Sequence, residues 1–204
     1  MDTEMQSPVL PFFRRWLLAT FAGWILGVVL MILLDESAER IGVGNQFPVG
    51  VGMGLSIGYV QWRVGRKWFH ATSEWMFASL VGMGMPFVLS DVFNVWRSDA
   101  MELLLFLNVA LGSLIVGWWQ RRIFQRRSIK AYWWIVGSVA GWTLAAATAL
   151  ILTTGGHPES SLELWRNIGT IALGGIVLGV VTGGAMVWVL RSRQTTTTAP
   201  PTNA

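Results

Sequence analysis

The sequence predicts an all-α integral membrane protein, with six transmembrane helices arranged as three tandem helical hairpins and an approximate threefold internal repeat. Three observations predict it. The mean hydropathy is +0.51, and only 13% of the 204 residues are charged, which is too few for an ordinary soluble surface. The apolar residues fall into runs that approach the roughly 20 needed to cross a bilayer. Finally, "WLLATFAG" at 16–23 returns as "WMFASLVG" at 75–82 and "WIVGSVAG" at 134–141. Trp16, Trp75 and Trp134 therefore recur 59 residues apart, as do Thr20, Ser79 and Ser138, and Gly23, Gly82 and Gly141, a fixed period that marks a repeated structural unit.

The elements follow in order. Residues 1–12 hold two prolines and two acids without an apolar period, so an N-terminal disordered tail is expected. The acidic start and the length of the first apolar run argue against a cleavable signal peptide. The six-helix domain is expected over 13–193, with hairpins at about 13–68, 69–127 and 128–193 and spans at about 16–34, 47–64, 75–95, 102–119, 132–152 and 168–190. The Thr- and Pro-rich residues 194–204 form a second disordered tail.

The odd spans carry W-x2-[AG]-[ST]-x2-G. Positions 0, +3, +4 and +7 share one helical stripe, and its small-xxx-small pairs end at Gly23, Gly82 and Gly141. Lipid offers no hydrophobic drive between helices, so close backbone approach at small residues holds such bundles together. The even spans carry Gly50, Gly54 and Gly58, matched by Gly175, Gly179 and Gly183, with Ser113 and Gly117 in the middle copy. Gln61 and Arg63 match Gln120 and Arg122. The tryptophan heading each stripe is expected at the inner headgroups, where an amphipathic indole fixes depth.

Charge sets the orientation. With the N-terminus inside, the inner segments hold Arg14, Arg15, Arg63, Arg66, Lys67, Arg121, Arg122, Arg126, Arg127, Lys130, Arg191 and Arg193, leaving only Arg40, Arg97 and Arg166 outside. This asymmetry predicts cytoplasmic N- and C-termini in a bacterial cytoplasmic membrane. The pI near 10.3 therefore reflects topology, and nucleic acid is not an expected partner. The run "QRRIFQRRSIKAYWW" at 120–134 sets Arg121, Arg122, Arg126, Arg127 and Lys130 among aromatics, a surface suited to anionic headgroups or to an acidic cytoplasmic or membrane protein partner.

The repeated W-x2-[AG]-[ST]-x2-G-[WM] helices, with a Gly-rich helix ending in Q-W or Q-R before basic residues, resemble a group of multi-pass bacterial membrane proteins of cyanobacterial and Chloroflexi type. The resemblance covers about 13–191. It implies the fold and carries no known activity.

Chemistry-bearing motifs are few. "GLSIG" at 54–58 fits G-x-S-x-G, but Ser56 sits mid-span on a Gly-rich helix rather than at a strand–turn–helix elbow. The two histidines, His70 and His157, lie in loops, so no base is expected beside Ser56 and no axial haem ligand within a span. There is no Cys. No cofactor, no metal and no enzymatic activity are expected.

The repeat breaks in the middle hairpin. Asp91 stands where the other copies have Ile32 and Leu150, and Pro86 where they have Gly27 and Ala145. Asn108 enters on the next span at similar depth and is expected to partner Asp91. A carboxylate near a span's end needs water, a partner or a raised pKa. Asp91, Asn108 and Pro86 thus form a candidate polar or solute site, against the simpler expectation that Asp91 reaches outer water. The leading functional expectation is a non-enzymatic accessory, scaffold or lipid-contacting subunit. The alternative is a small-solute transporter or a substrate-capture subunit like the S components of vitamin uptake systems.

Overall fold

The computed structural model describes residues 9–41, 46–93, 101–125, 131–152 and 161–197. They form six α-helices: α1 (Val9–Ile41), α2 (Phe47–Trp68), α3 (Glu74–Val92), α4 (Met101–Gln125), α5 (Tyr132–Leu152) and α6 (Ser161–Thr197). Each helix packs on its neighbours in the chain, and α6 packs on α1, closing a ring. Helix α1 starts within the stretch expected as the N-terminal tail, with Phe12 buried in the core, and α6 runs four residues past 193. Residues 1–8 and 198–204 lie outside the described residues.

Five of the six helices are long and apolar enough to cross a membrane. Their outward faces carry Leu18, Ile25 and Val29 on α1, Phe77 and Val81 on α3, Leu107 and Leu111 on α4, Val136 and Leu144 on α5, and Ile176 and Val180 on α6, all exposed. An apolar belt of this extent needs a nonaqueous surrounding. Helix α2 is the exception. Its 22 residues would reach about 33 Å, yet Gly50, Gly52, Gly54, Gly58 and Gly65 dilute its apolarity. It also exposes only Tyr59 among large hydrophobics.

Glycine makes that burial feasible. A Cβ on Gly54 would stand 2.5 Å from the Ser79 carbonyl oxygen, and one on Gly58 2.5 Å from the Ser79 Cβ. Helix α2 ends where the Gly65 carbonyl accepts the N–H groups of Phe69 (2.9 Å) and Ala71 (3.3 Å). His70 adopts φ +53° to close that turn, the left-handed conformation common after a helix C-terminus. The Phe69 ring lies over Gly65, where a Cβ would come within 2.9 Å of its Cε1. Helix α3 runs unbroken through Pro86. The Gly82 carbonyl, which loses its helical donor to that proline, faces Gly112 of α4, where a Cβ would come within 3.0 Å.

The interior has two layers. At the basic end, where α1 starts and α6 finishes, Phe12, Trp16, Phe69, Trp75, Phe124 and Trp134 form one cluster. The three repeat tryptophans are 0–1% exposed and touch one another, with ring centroids 6.1 Å apart for Trp16–Trp75, 6.0 Å for Trp16–Trp134 and 5.2 Å for Trp75–Trp134. This corrects the expectation of headgroup anchors. A residue at position 0 shares the stripe of +3, +4 and +7, so it faces the bundle with them. Trp118, Trp133, Trp165 and Trp188 are the exposed indoles among the described residues. The second layer gathers Trp24, Met53, Ile57, Met83, Phe87, Trp142 and Leu178.

The three stripe glycines meet the neighbouring helix in matching ways. A Cβ on Gly23 would strike the Val60 side chain and approach the Ile57 Cα at 3.0 Å. One on Gly82 would lie 2.6 Å from the Val116 Cγ2, and one on Gly141 2.9 Å from the Thr182 Cγ2. Leucine at any of the three is expected to destabilise the bundle by about 1–3 kcal/mol, read as a lower melting temperature in detergent. Unchanged melting at all three sites would show that these glycines do not face a helix. Gly179 and Gly183 of α6 pack likewise on Leu17 and on Phe13 with Trp16.

Candidate functional site

Polar side chains in the layer at the basic end bond from one hairpin to the next. The Trp75 Nε1–H donates to Gln61 Oε1 (3.4 Å), and the Gln61 amide donates to Thr20 Oγ1 (3.3 Å). One unit on, the Trp134 Nε1–H donates to Gln120 Oε1 (3.0 Å), and Gln120 donates to Ser79 Oγ (2.9 Å) and the Trp75 carbonyl (3.3 Å). The position corresponding to these glutamines in α6 is Met186, also buried. There Trp16 instead donates to Thr182 Oγ1 (3.1 Å), one turn earlier on α6. Buried indole N–H groups need acceptors, and each of these three has one.

Beyond this layer lies an apolar chamber of about 310 Å³. Trp24, Met83 and Trp142 form its floor, with Val28, Phe87 and Ala146 one turn further out and Met31, Gln46, Ala149 and Leu150 toward the far end. The Trp24 and Trp142 rings touch at 6.3 Å, and the Trp24 N–H is engaged by the Ile171 carbonyl at 2.8 Å. Gln46 is the one uncharged polar residue among the described lining residues.

The candidate polar residues separate. The Asp91 carboxylate accepts the backbone N–H groups of Gln46 (3.2 Å) and Phe47 (2.6 Å) at the start of α2. The Gln46 side chain makes no cap of its own, so Asp91 caps α2 from the neighbouring helix. The Asn108 amide donates to Ser90 Oγ at 2.8 Å. The expected Asp91–Asn108 hydrogen bond is therefore absent among the described residues, because successive helical residues point about 100° apart. Ser90 turns to α4 and Asp91 to α2. Pro86 is buried in α3. Asp91→Leu is expected to destabilise the protein by about 0.5–2 kcal/mol, as loss of a helix cap does, with a smaller loss for Asp91→Asn. Equal melting of Asp91→Leu and the parent protein would remove the capping role.

Arginines at the basic end lie on aromatic rings. Arg122 sits 3.8 Å from the Trp118 ring centroid and Arg63 5.9 Å from that of Tyr59, the same i, i+4 pair in two hairpins. Arg121 lies 3.6 Å from Tyr132, Arg66 5.6 Å from Trp62, and Arg15 5.9 Å from Trp68. None of these five pairs with a carboxylate among the described residues. Arg126, Arg127 and Lys130 of the predicted basic surface lie outside those residues. Ser56 is buried, and its hydroxyl has no hydrogen-bond partner among the described residues.

No family model, curated protein or solved structure matches the chain.

Proposed function

We propose that this is a non-enzymatic, lipid-contacting subunit of the bacterial cytoplasmic membrane, with six spanning helices and both termini cytoplasmic. Helix α2 spans with the other five, since it is long enough and is enclosed by α1 and α3. The bundle is three repeated hairpins around an axis. The matched contacts of Gly23 with Ile57, Gly82 with Val116 and Gly141 with Thr182 support that repeat, as does the mutual contact of the three tryptophans.

The observation that carries the lipid reading is the set of arginines seated on aromatic rings with no carboxylate partner among the described residues. Ring faces hold the guanidinium groups by cation–π attraction; Arg63 also donates to the Tyr59 hydroxyl at 3.2 Å, while the exposed Arg15, Arg66 and Arg122 present N–H donors to anionic headgroups, each cation contributing about 1 kcal/mol near the surface. An acidic cytoplasmic or membrane protein would meet the same surface.

The test compares melting in bilayer discs of phosphatidylcholine alone and with phosphatidylglycerol added. Anionic lipid is expected to raise the melting temperature, and Arg121→Gln with Arg122→Gln to remove most of the rise. An identical melting temperature in both lipids would end this reading. The second reading, capture of a solute, is favoured by the chamber and requires the solute to be apolar.

A further inference from the structure

We propose that the chamber is a binding site for one aliphatic chain bearing an uncharged head, such as a monoacylglycerol or a long-chain alcohol. The proposal deepens the capture reading and does not depend on lipid binding at the basic end.

Size sets the first limit. An engineered apolar cavity of about 150 Å³ takes benzene, and this chamber is about twice that, at 310 Å³. It stands at the lower edge of ligand-binding pockets, which begin at about 300 Å³. One chain therefore suits it better than two.

Wall chemistry sets the second. Met31, Met53 and Met83 line the space, and flexible thioethers adapt to irregular apolar ligands. Trp24 and Trp142 already touch at 6.3 Å, leaving no slot between them for a flat ring. Their surfaces form a floor, and the Trp24 N–H is satisfied by the Ile171 carbonyl. The end of the ligand that rests there must be hydrocarbon.

The head is decided at the other end. Among the described residues, Gln46 is the one uncharged polar residue lining the chamber, and no cationic residue lines it. The Asp91 carboxylate lies on the Gln46 and Phe47 N–H groups, so it would repel an anionic head. A neutral head meets neither penalty.

The free space itself traces to α5. Positions 28, 87 and 146 correspond in the three repeats and hold Val28, Phe87 and Ala146, all lining the chamber. Phe87 fills its share, whereas Ala146 leaves a gap. Ala146→Phe would place in α5 the side chain that α3 already carries.

The experiment uses the full chain in phosphatidylcholine discs and a dibrominated monoacylglycerol as probe, read by quenching of tryptophan fluorescence. The expected result is a saturable component at one probe per protein. Ala146→Phe should weaken it at least tenfold while the melting temperature holds or rises. A dibrominated fatty acid at pH 8, ionised at the head, should bind at least tenfold more weakly. If Ala146→Phe fails to fold, Ala149→Phe is read the same way. A monoacylglycerol with a diazirine in its chain, photolysed on the parent protein, needs no variant and should label Met31, Met53 or Ala149. Quenching that grows linearly with probe and is unchanged by Ala146→Phe would overturn the proposal. So would photolabel confined to outward residues such as Leu26 and Val180, or equal affinity for the ionised probe.

Discussion

Trp75→Ala is expected to destabilise the protein by about 3–5 kcal/mol, the range for truncating a buried aromatic in a packed core. Trp75 is 0% exposed and touches Trp16, Phe69, Phe124 and Trp134. Its removal opens a void at the meeting point of α1, α3 and α5 and takes away the donor that Gln61 Oε1 accepts. Trp16→Ala and Trp134→Ala should do comparable damage, because each faces the same axis at 0–1% exposure. Trp118→Ala is the control. Trp118 is 47% exposed, and its loss should change melting far less, although it frees Arg122. Equal melting of Trp75→Ala and Trp118→Ala would show that the three tryptophans do not form a core.

That core was half legible in the sequence. The period of 59 located Trp16, Trp75 and Trp134, and the stripe rule placed them with Gly23, Gly82 and Gly141 on a packing face. The headgroup assignment came from a general preference of tryptophan for interfaces, and the stripe overrides it. Gln61 and Gln120 were visible as matched positions, but their partners were not. Each glutamine accepts from the tryptophan 14 residues on, in the next helix. Asp91 was visible as a departure from the repeat, yet its partners lie 44 and 45 residues earlier, at the start of α2. No local pattern announces a cap supplied by a neighbouring helix. The chamber was the least legible feature. It arises where small residues such as Ala146 and Ala149 meet larger ones, and a void leaves no motif.

The substitution that best tests the repeat is Gln120→Met, which copies into α4 the residue that α6 carries at Met186. Alone it is expected to destabilise by about 3–5 kcal/mol. Gln120 is 0% exposed and makes three bonds, to Ser79 Oγ, the Trp75 carbonyl and the Trp134 N–H. Buried hydrogen bonds in membrane bundles average about 0.6 kcal/mol each, and an orphaned donor adds about 1–3 kcal/mol. Here the orphan is the Trp134 indole. Helix α6 solves the same problem with Thr182, whose hydroxyl accepts from Trp16 at 3.1 Å and donates to the Leu178 carbonyl at 2.6 Å. The corresponding position in α4 is Val116, and threonine has nearly valine's shape. Its methyl would face Gly82 as the Thr182 methyl faces Gly141, while its hydroxyl could donate to the Gly112 carbonyl and accept from Trp134. Adding Val116→Thr to Gln120→Met should therefore restore at least half of the lost stability, whereas Val116→Thr alone should change little. Recovery in the double variant, measured as a coupling in a double-mutant cycle, is the signature of interchangeable hairpins. A double variant no more stable than Gln120→Met would mean that α4 and α6 do not present equivalent positions to the axis, and the threefold repeat would fall with it.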